Sequence, residues 1–183
     1  MIKTNRLNLR AWRTEDLGFL DVVLGDADVM EFSDRGVLSK DEQTTWLKDA
    51  VASQHDAPPF RNLAIEHERE GGVIGYISLS NDLSRVAKGD VEVGFRLARS
   101  AWGRGYATEV LTRVTELSRD FIQADRIVAI VDPNNHRSVR VLKKTGMTYQ
   151  GDVMFDGYDY PDHLYASNLT FRLPATATQA SGG

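Results

Sequence analysis

The stretch Trp102-Gly103-Arg104-Gly105-Tyr106-Ala107-Thr108 carries the clearest chemical signal in the chain. Its two glycines let the backbone pass close to a ligand, and a helix-forming segment follows at once. The first turn of a helix has N–H groups without partners and about half a positive charge, which suits a phosphate or pyrophosphate. The pattern comes close to the dinucleotide-binding fingerprint. Yet no first βα repeat lies upstream, and no acidic residue follows where a ribose contact needs it. No Gly-Lys-Ser/Thr follows either, which excludes a nucleoside-triphosphate loop. A turn that merely joins strand to helix is the alternative on this stretch alone.

A strand must bring the chain to this turn and a helix must carry it away. Val91, Val93 and Phe95 share one strand face, and Glu92, Gly94 and Arg96 the other. Ala107, Val110, Leu111, Val114, Leu117 and Phe121 then recur at helical spacing. Upstream, Leu7, Leu9 and Ala11 alternate with Asn8, Arg10 and Trp12 in a first strand. Thr14 is placed to cap a helix bearing Leu17, Leu20, Val23 and Leu24. Ser39 and Glu42 have capping-box spacing and open a second helix with Trp46, Leu47, Ala50 and Val51 inward. After Pro58-Pro59, two strands (through Leu63 and Ile65, and through Ile74 to Leu79) flank Gly71-Gly72 as a hairpin.

Beyond a polar loop at 81–89 and the central unit, Arg126 to Val131 is almost wholly apolar, as in a strand buried on both faces. Asp132-Pro133-Asn134-Asn135 ends it. A short helix from Ser138 to Lys144 closes at Gly146. Strands at Met147–Met154 and Leu164–Phe171 surround an acidic, tyrosine-rich loop. The order β-α-α-β-β-β-α-β-α-β-β predicts one α/β (α+β) domain over residues 1–173, a mixed seven-stranded sheet with helices on both faces. Residues 174–183 are expected to form a disordered tail.

At 183 residues the chain can bury about two-thirds of its unfolded surface. A net charge of −4 argues against wrapping nucleic acid. With no cysteine there is no disulfide, no thiolate nucleophile and no Cys-based zinc site. No export signal or membrane-spanning apolar run is evident, so a cytoplasmic location is expected. His55, His67, His136 and His163 have no second ligand at metal spacing, and no metal is expected.

Three features coincide: the Trp102–Thr108 turn, Asn135-His136-Arg137-Ser138, and Thr145-Gly146-Met147 after a short helix. Together they resemble the GNAT acyl-CoA-dependent N-acetyltransferases over roughly residues 4 to 172. The closest likeness is to the branch that acetylates ribosomal-protein N-termini, with its opening T-x-R-L-x-L-R as Thr4-Asn5-Arg6-Leu7-Asn8-Leu9-Arg10. The general phosphate loop of that family begins with Arg or Gln. Here Trp102 stands first, as is common in the ribosomal-protein branch.

The resemblance implies a mostly antiparallel sheet, with acetyl-CoA as cosubstrate and an amine as acceptor. Gly103, Arg104, Gly105, Tyr106, Ala107 and Thr108, with Trp102, would cradle the pyrophosphate. The backbone of Phe95, Arg96 and Leu97 would pair with the pantetheine, and an N–H there would face the thioester carbonyl. Asn135 would bond the pantetheine, and Ser138, near the sulfur, would be the general acid, with Tyr165 and Tyr149 as weaker candidates. Both Asn135 and Ser138 also suit a plain helix N-cap.

Glu92 is the candidate base, with His163 competing. Arg140 and Lys143, beside Arg137 and Lys144, could meet the 3′-phosphate or be an ordinary solvated face. Asp156, Asp159 and Asp162, with Tyr158 and Tyr160, could attract a cationic amine. The acceptor is open between a peptide N-terminus and a small polyamine- or drug-like amine. An acyl-CoA sensor without turnover and a nucleotide-binding module are the other classes. Monomer and homodimer are both open, and neither nucleic acid nor a membrane is an expected partner.

Overall fold

The structure is a computed structural model and describes residues 1–53, 62–117 and 124–167. In chain order the elements are β1 (Ile2–Lys3), β2 (Leu7–Arg10), α1 (Leu17–Leu24), α2 (Ala27–Met30), α3 (Lys40–Ala52), β3 (Asn62–His67) and β4 (Val73–Ser80). Then come β5 (Asp90–Leu97), α4 (Tyr106–Leu117), β6 (Arg126–Val131), α5 (His136–Lys144), β7 (Met147–Val153) and β8 (Asp162–Ser167). Pro58-Pro59, Phe121, the end of the last expected strand and the 174–183 tail lie outside the described residues.

One sheet runs in the order β1-β2-β3-β4-β5-β6-β8-β7. Of its pairings among the described residues only β5–β6 is parallel. The expected fold is therefore present, with eight strands rather than seven. The addition is β1, where Ile2 and Lys3 lie opposite Leu9 and Asn8. Two residues are too few for an alternation to register. A four-residue helix, α2, was equally illegible, although Asp26 caps it by accepting from the Asp28 and Val29 amides.

Local chemistry sets most other boundaries. Ser39 and Glu42 make the reciprocal box that opens α3. Thr14 does not cap α1: a 3-10 turn over Thr14–Asp16 comes first, held by the Asp16 side chain on the Arg13 amide. Leu17 is consequently exposed. Asn135 caps α5 two residues earlier than expected, its side-chain oxygen accepting from the Ser138 N–H at 3.1 Å. Gly146 ends that helix at φ 79°, a conformation open to glycine.

Both faces of the sheet are buried. Leu7, Leu9, Ile65, Ile77, Val91 and Val93 pack against Val110, Leu111 and Val114 of α4 and Leu142 of α5. On the opposite face Trp12, Ala64 and Tyr76 pack against Leu20, Val23 and Leu24 of α1, Met30 of α2 and Leu47 of α3. Arg10 is buried there too. Its guanidinium meets Asp16 through two bonds of 2.8 Å and Glu66 through one of 3.0 Å. A charge-assisted fork of that kind offsets the desolvation that would otherwise exclude both ions.

The feature that positions the site is a split in the middle of the sheet. β5 and β6 pair only through Asp90–Glu92 and Arg126–Val128. Arg126 locks the closed end, with bonds of 2.9 and 2.6 Å to Asp90. Beyond it, β5 keeps its partner β4 as far as Gly75↔Leu97, while β6 turns to β8 as far as Val131↔His163. Val93 to Leu97 thus presents one edge that no strand among the described residues covers.

Candidate active site

The wedge between β5 and β6 opens into a cavity of about 1180 Å³. It runs from the glycine turn, past the free edge of β5, to loops at the other end of the sheet. Its lining includes Glu92, Phe95, Arg96, Leu97, Trp102, Gly103, Gly105, Tyr106, Ala107, Thr108, Asn135, Ser138 and Arg140. The chain therefore brings together residues from three separate segments that the sequence singles out. Arg104 and Lys143 are not in that lining.

The turn owes its shape to its glycines. Gly103 and Gly105 have φ of 72° and 81°, where a side chain is strained. Trp102 anchors the turn to β5 by donating its indole N–H to the Leu97 carbonyl at 2.8 Å. The Arg137 guanidinium lies 4.4 Å above the Trp102 ring, a stack worth about 1 kcal/mol at a part-exposed position. Arg104 points elsewhere, to Glu70 at 3.0 Å. The Tyr106 ring is only 2% exposed, within the α4-side core. With Arg137, Arg140 and Lys144 on its α5 side, this end of the cavity is basic and built largely of backbone.

Asn135 shows that capping and binding need not compete. Its oxygen is taken by the Ser138 N–H, while its amide N–H₂ remains for another partner. Ser138 is half-buried beside it. Tyr165 and Tyr149 are away from the lining: the first is buried, and the second donates to Asp152 at 2.6 Å. His163 sits 3.6 Å from Asp152.

At the other end the side chains are acidic. Glu92 reaches the cavity, but both its oxygens are held by Arg85, at 2.9 and 3.1 Å. Asp162 lines the same space as the first residue of β8. Burial, followed by the nearby charges of Asp132 and Asp34, raises its carboxyl above the ordinary range, against smaller opposing effects of Arg85 and His163. Tyr158 and Tyr160 turn toward this cluster, with Tyr160 donating to Asp132 at 2.6 Å and Tyr158 bonded to Asp34. Asp156 and Asp159 are not in the lining.

Asp34, Arg85 and Asp132 escaped the sequence reading. Each is polar in a polar loop, and only the fold sets the α2–α3 connection opposite the start of β8. Among the described residues no helix is long and apolar enough to cross a membrane.

The model of the acetyltransferase (GNAT) domain family matches residues 6–148. A Bacillus subtilis (strain 168) protein, the uncharacterized YkkB, is 28% identical over 152 residues, covering 82% of this chain and 86% of its own. A GNAT-family acetyltransferase structure from Bacillus anthracis superposes with a TM-score of 0.79 at 22% identity, covering 91% of this chain and 96% of that one. The aminoglycoside acetyltransferase AAC(6′)-Ib, solved with coenzyme A, gives 0.69 at 22% identity, with 88% and 94% covered. At such identities the two structures speak for the fold.

Proposed function

The chain belongs to the GNAT acetyltransferase family and is an acyl-CoA-dependent N-acetyltransferase; we propose that its acceptor is a small amine carrying more than one positive charge. The observation that carries this reading is the polarity of this cavity. One end is basic and lined by backbone at a helix N-terminus; the other gathers Asp34, Asp132 and Asp162. An anionic coenzyme and a cationic amine would each be drawn to the end of opposite sign. Three carboxylates exceed what one ammonium group needs.

Bound acetyl-CoA would supply an activated acyl group. The glycine turn has the open backbone a pyrophosphate requires, and the unpaired edge of β5 has N–H and C=O groups for an amide-bearing arm. An N–H of Phe95 or its neighbours would stabilise charge growing on the thioester oxygen, worth about 3 kcal/mol for one donor. Asp162 would take the proton of the incoming ammonium, directly or through water, its raised affinity for a proton bringing it nearer neutral pH. As the C–N bond forms and the C–S bond breaks, the Ser138 hydroxyl would donate its proton to the leaving sulfur and regain one, directly or through water, from the nitrogen as it becomes the amide. Glu92, the base expected from sequence, would then serve mainly to hold Arg85.

A peptide N-terminus is the second reading, favoured by the likeness of the opening motif to the ribosomal-protein branch. None of that motif's residues lines the cavity, however. Thr4 and Arg6 bond Glu109 of α4, and Arg10 is sealed against Asp16 and Glu66. The residues that carry the branch likeness therefore report on framework rather than acceptor. Acetyl-CoA consumption measured against spermidine, an aminoglycoside and peptides with free Ala or Ser N-termini would decide. Faster turnover of the polycations, declining with salt, is expected. Turnover of the peptides alone would reverse the assignment.

A further inference from the structure

The Glu109 carboxylate, in the first turn of α4, is held from behind by the N-terminal segment. Its Oε1 accepts from the Thr4 hydroxyl at 2.5 Å and the Arg6 amide at 2.8 Å, and its Oε2 accepts from Arg6 Nε at 2.7 Å. The same guanidinium donates to the Arg104 carbonyl at 3.1 Å and lies 4.5 Å above the Tyr106 ring. A methyl group on Gly105 would come within 3.6 Å of it. Arg6 thus touches Arg104 and Tyr106, on either side of Gly105, and through Glu109 the helix that follows. Neither Arg6 nor Glu109 lines the cavity, so these contacts are made from the turn's other side.

The charges raise a conflict that Arg6 resolves. A carboxylate in the first turn stabilises a helix through its dipole. At this helix it also stands in the same first turn against which a diphosphate would settle from the cavity side, and like charges across so short a turn repel. Burial alone would raise the Glu109 carboxyl, but the bonds from Thr4 and Arg6 outweigh it, so the group stays ionised. With Arg6 bound to it the pair is neutral, and the helix end still carries its own positive field.

We propose that Arg6 is a positioning residue for the coenzyme: it cancels the charge of Glu109 and holds the Arg104–Tyr106 backbone with its amides toward the cavity. This rests on the reading that the turn binds acetyl-CoA. Coenzyme A is titrated calorimetrically into the wild type, Arg6→Ala, Arg6→Lys, Glu109→Gln and the double variant Arg6→Ala/Glu109→Gln, with thermal unfolding as a check of folding. Arg6→Ala should weaken binding about tenfold, with Arg6→Lys in between.

The double variant, although it has lost more bonds, should recover most of the affinity lost by Arg6→Ala. A purely structural role predicts the opposite, with the double variant at least as weak as the single. Should Arg6→Ala fail to fold, Glu109→Gln decides, since it leaves Arg6 uncompensated and should bind at least as tightly as wild type. Weaker binding by Glu109→Gln, unchanged affinity in a folded Arg6→Ala, or a double variant weaker than Arg6→Ala would each overturn the proposal. No binding by the wild type itself would remove the underlying reading, and this one with it.

Discussion

The two ends of the cavity are made of different material. The end proposed for the coenzyme is backbone: a glycine turn, a helix N-terminus and the free edge of a strand, all supplied by residues 93–108 with help from Asn135 and Ser138. The end proposed for the acceptor is side chains, drawn from the α2–α3 connection, the loop before β5, the end of β6 and the start of β8. Backbone amides recognise a diphosphate whatever the neighbouring side chains are, so the first end can serve any acyl-CoA enzyme. Side chains on loops can change without disturbing the sheet. The difference separates what is generic in this molecule from what is its own.

The comparison breaks most easily at the turn. Gly105 has φ 81° and sits where a pyrophosphate would lie. Gly105→Glu adds strain, bulk and a negative charge at one point, and coenzyme A affinity should fall by more than about a hundredfold. Affinity measured by calorimetry on the folded variant checks this. Retained binding would mean that the diphosphate lies elsewhere and that the basic end is not backbone-made in the sense argued.

At the acceptor end the largest effect should come from Asp162. Asp162→Asn removes the proposed proton acceptor while keeping its size, and kcat should drop about a hundredfold or more. The pH dependence has a definite sign. The carboxyl is raised above its ordinary range and must be ionised to act, so kcat/KM should fall as pH drops through that raised value. Asp162→Asn should lose this acidic limb, whereas Glu92→Gln should keep it, because Arg85 already occupies both Glu92 oxygens. An acidic limb lost in Glu92→Gln and kept in Asp162→Asn would return the base to Glu92.

The same division explains what could be read before any fold was known. The turn, β5 and α4 are contiguous, and Gly103, Gly105, Val110, Leu111 and Val114 stand at spacings that only a strand–turn–helix explains. The Ser39–Glu42 box and the Gly71-Gly72 hairpin were legible because each is decided within a few residues. β1 and α2 were not, being shorter than the period that would reveal them. Arg10 and Trp12 alternate with Leu7 and Leu9, and alternation alone does not say that both sets are buried, as they are here because helices cover each face of this sheet. Asp34 and Arg85 carried no local signal, and Asp132 only that of a strand end. Their meaning lies in a juxtaposition across more than a hundred residues.

The smallest effect belongs to the rim. Asp34 is exposed, and what it offers an amine is long-range attraction together with its bond to Tyr158. Solvent screens such a group, and single exposed charges contribute little. Asp34→Asn should therefore raise KM for a polycationic amine only about two- to fivefold at low salt. The difference from wild type should vanish near 1 M salt, where the screening length is about 3 Å. Coenzyme A affinity should not change, because Asp34 acts at the opposite end. A shift in coenzyme A affinity as large as the shift in amine KM would mean that the two ends act as one electrostatic unit, and the division between a generic end and a particular one would have to be given up.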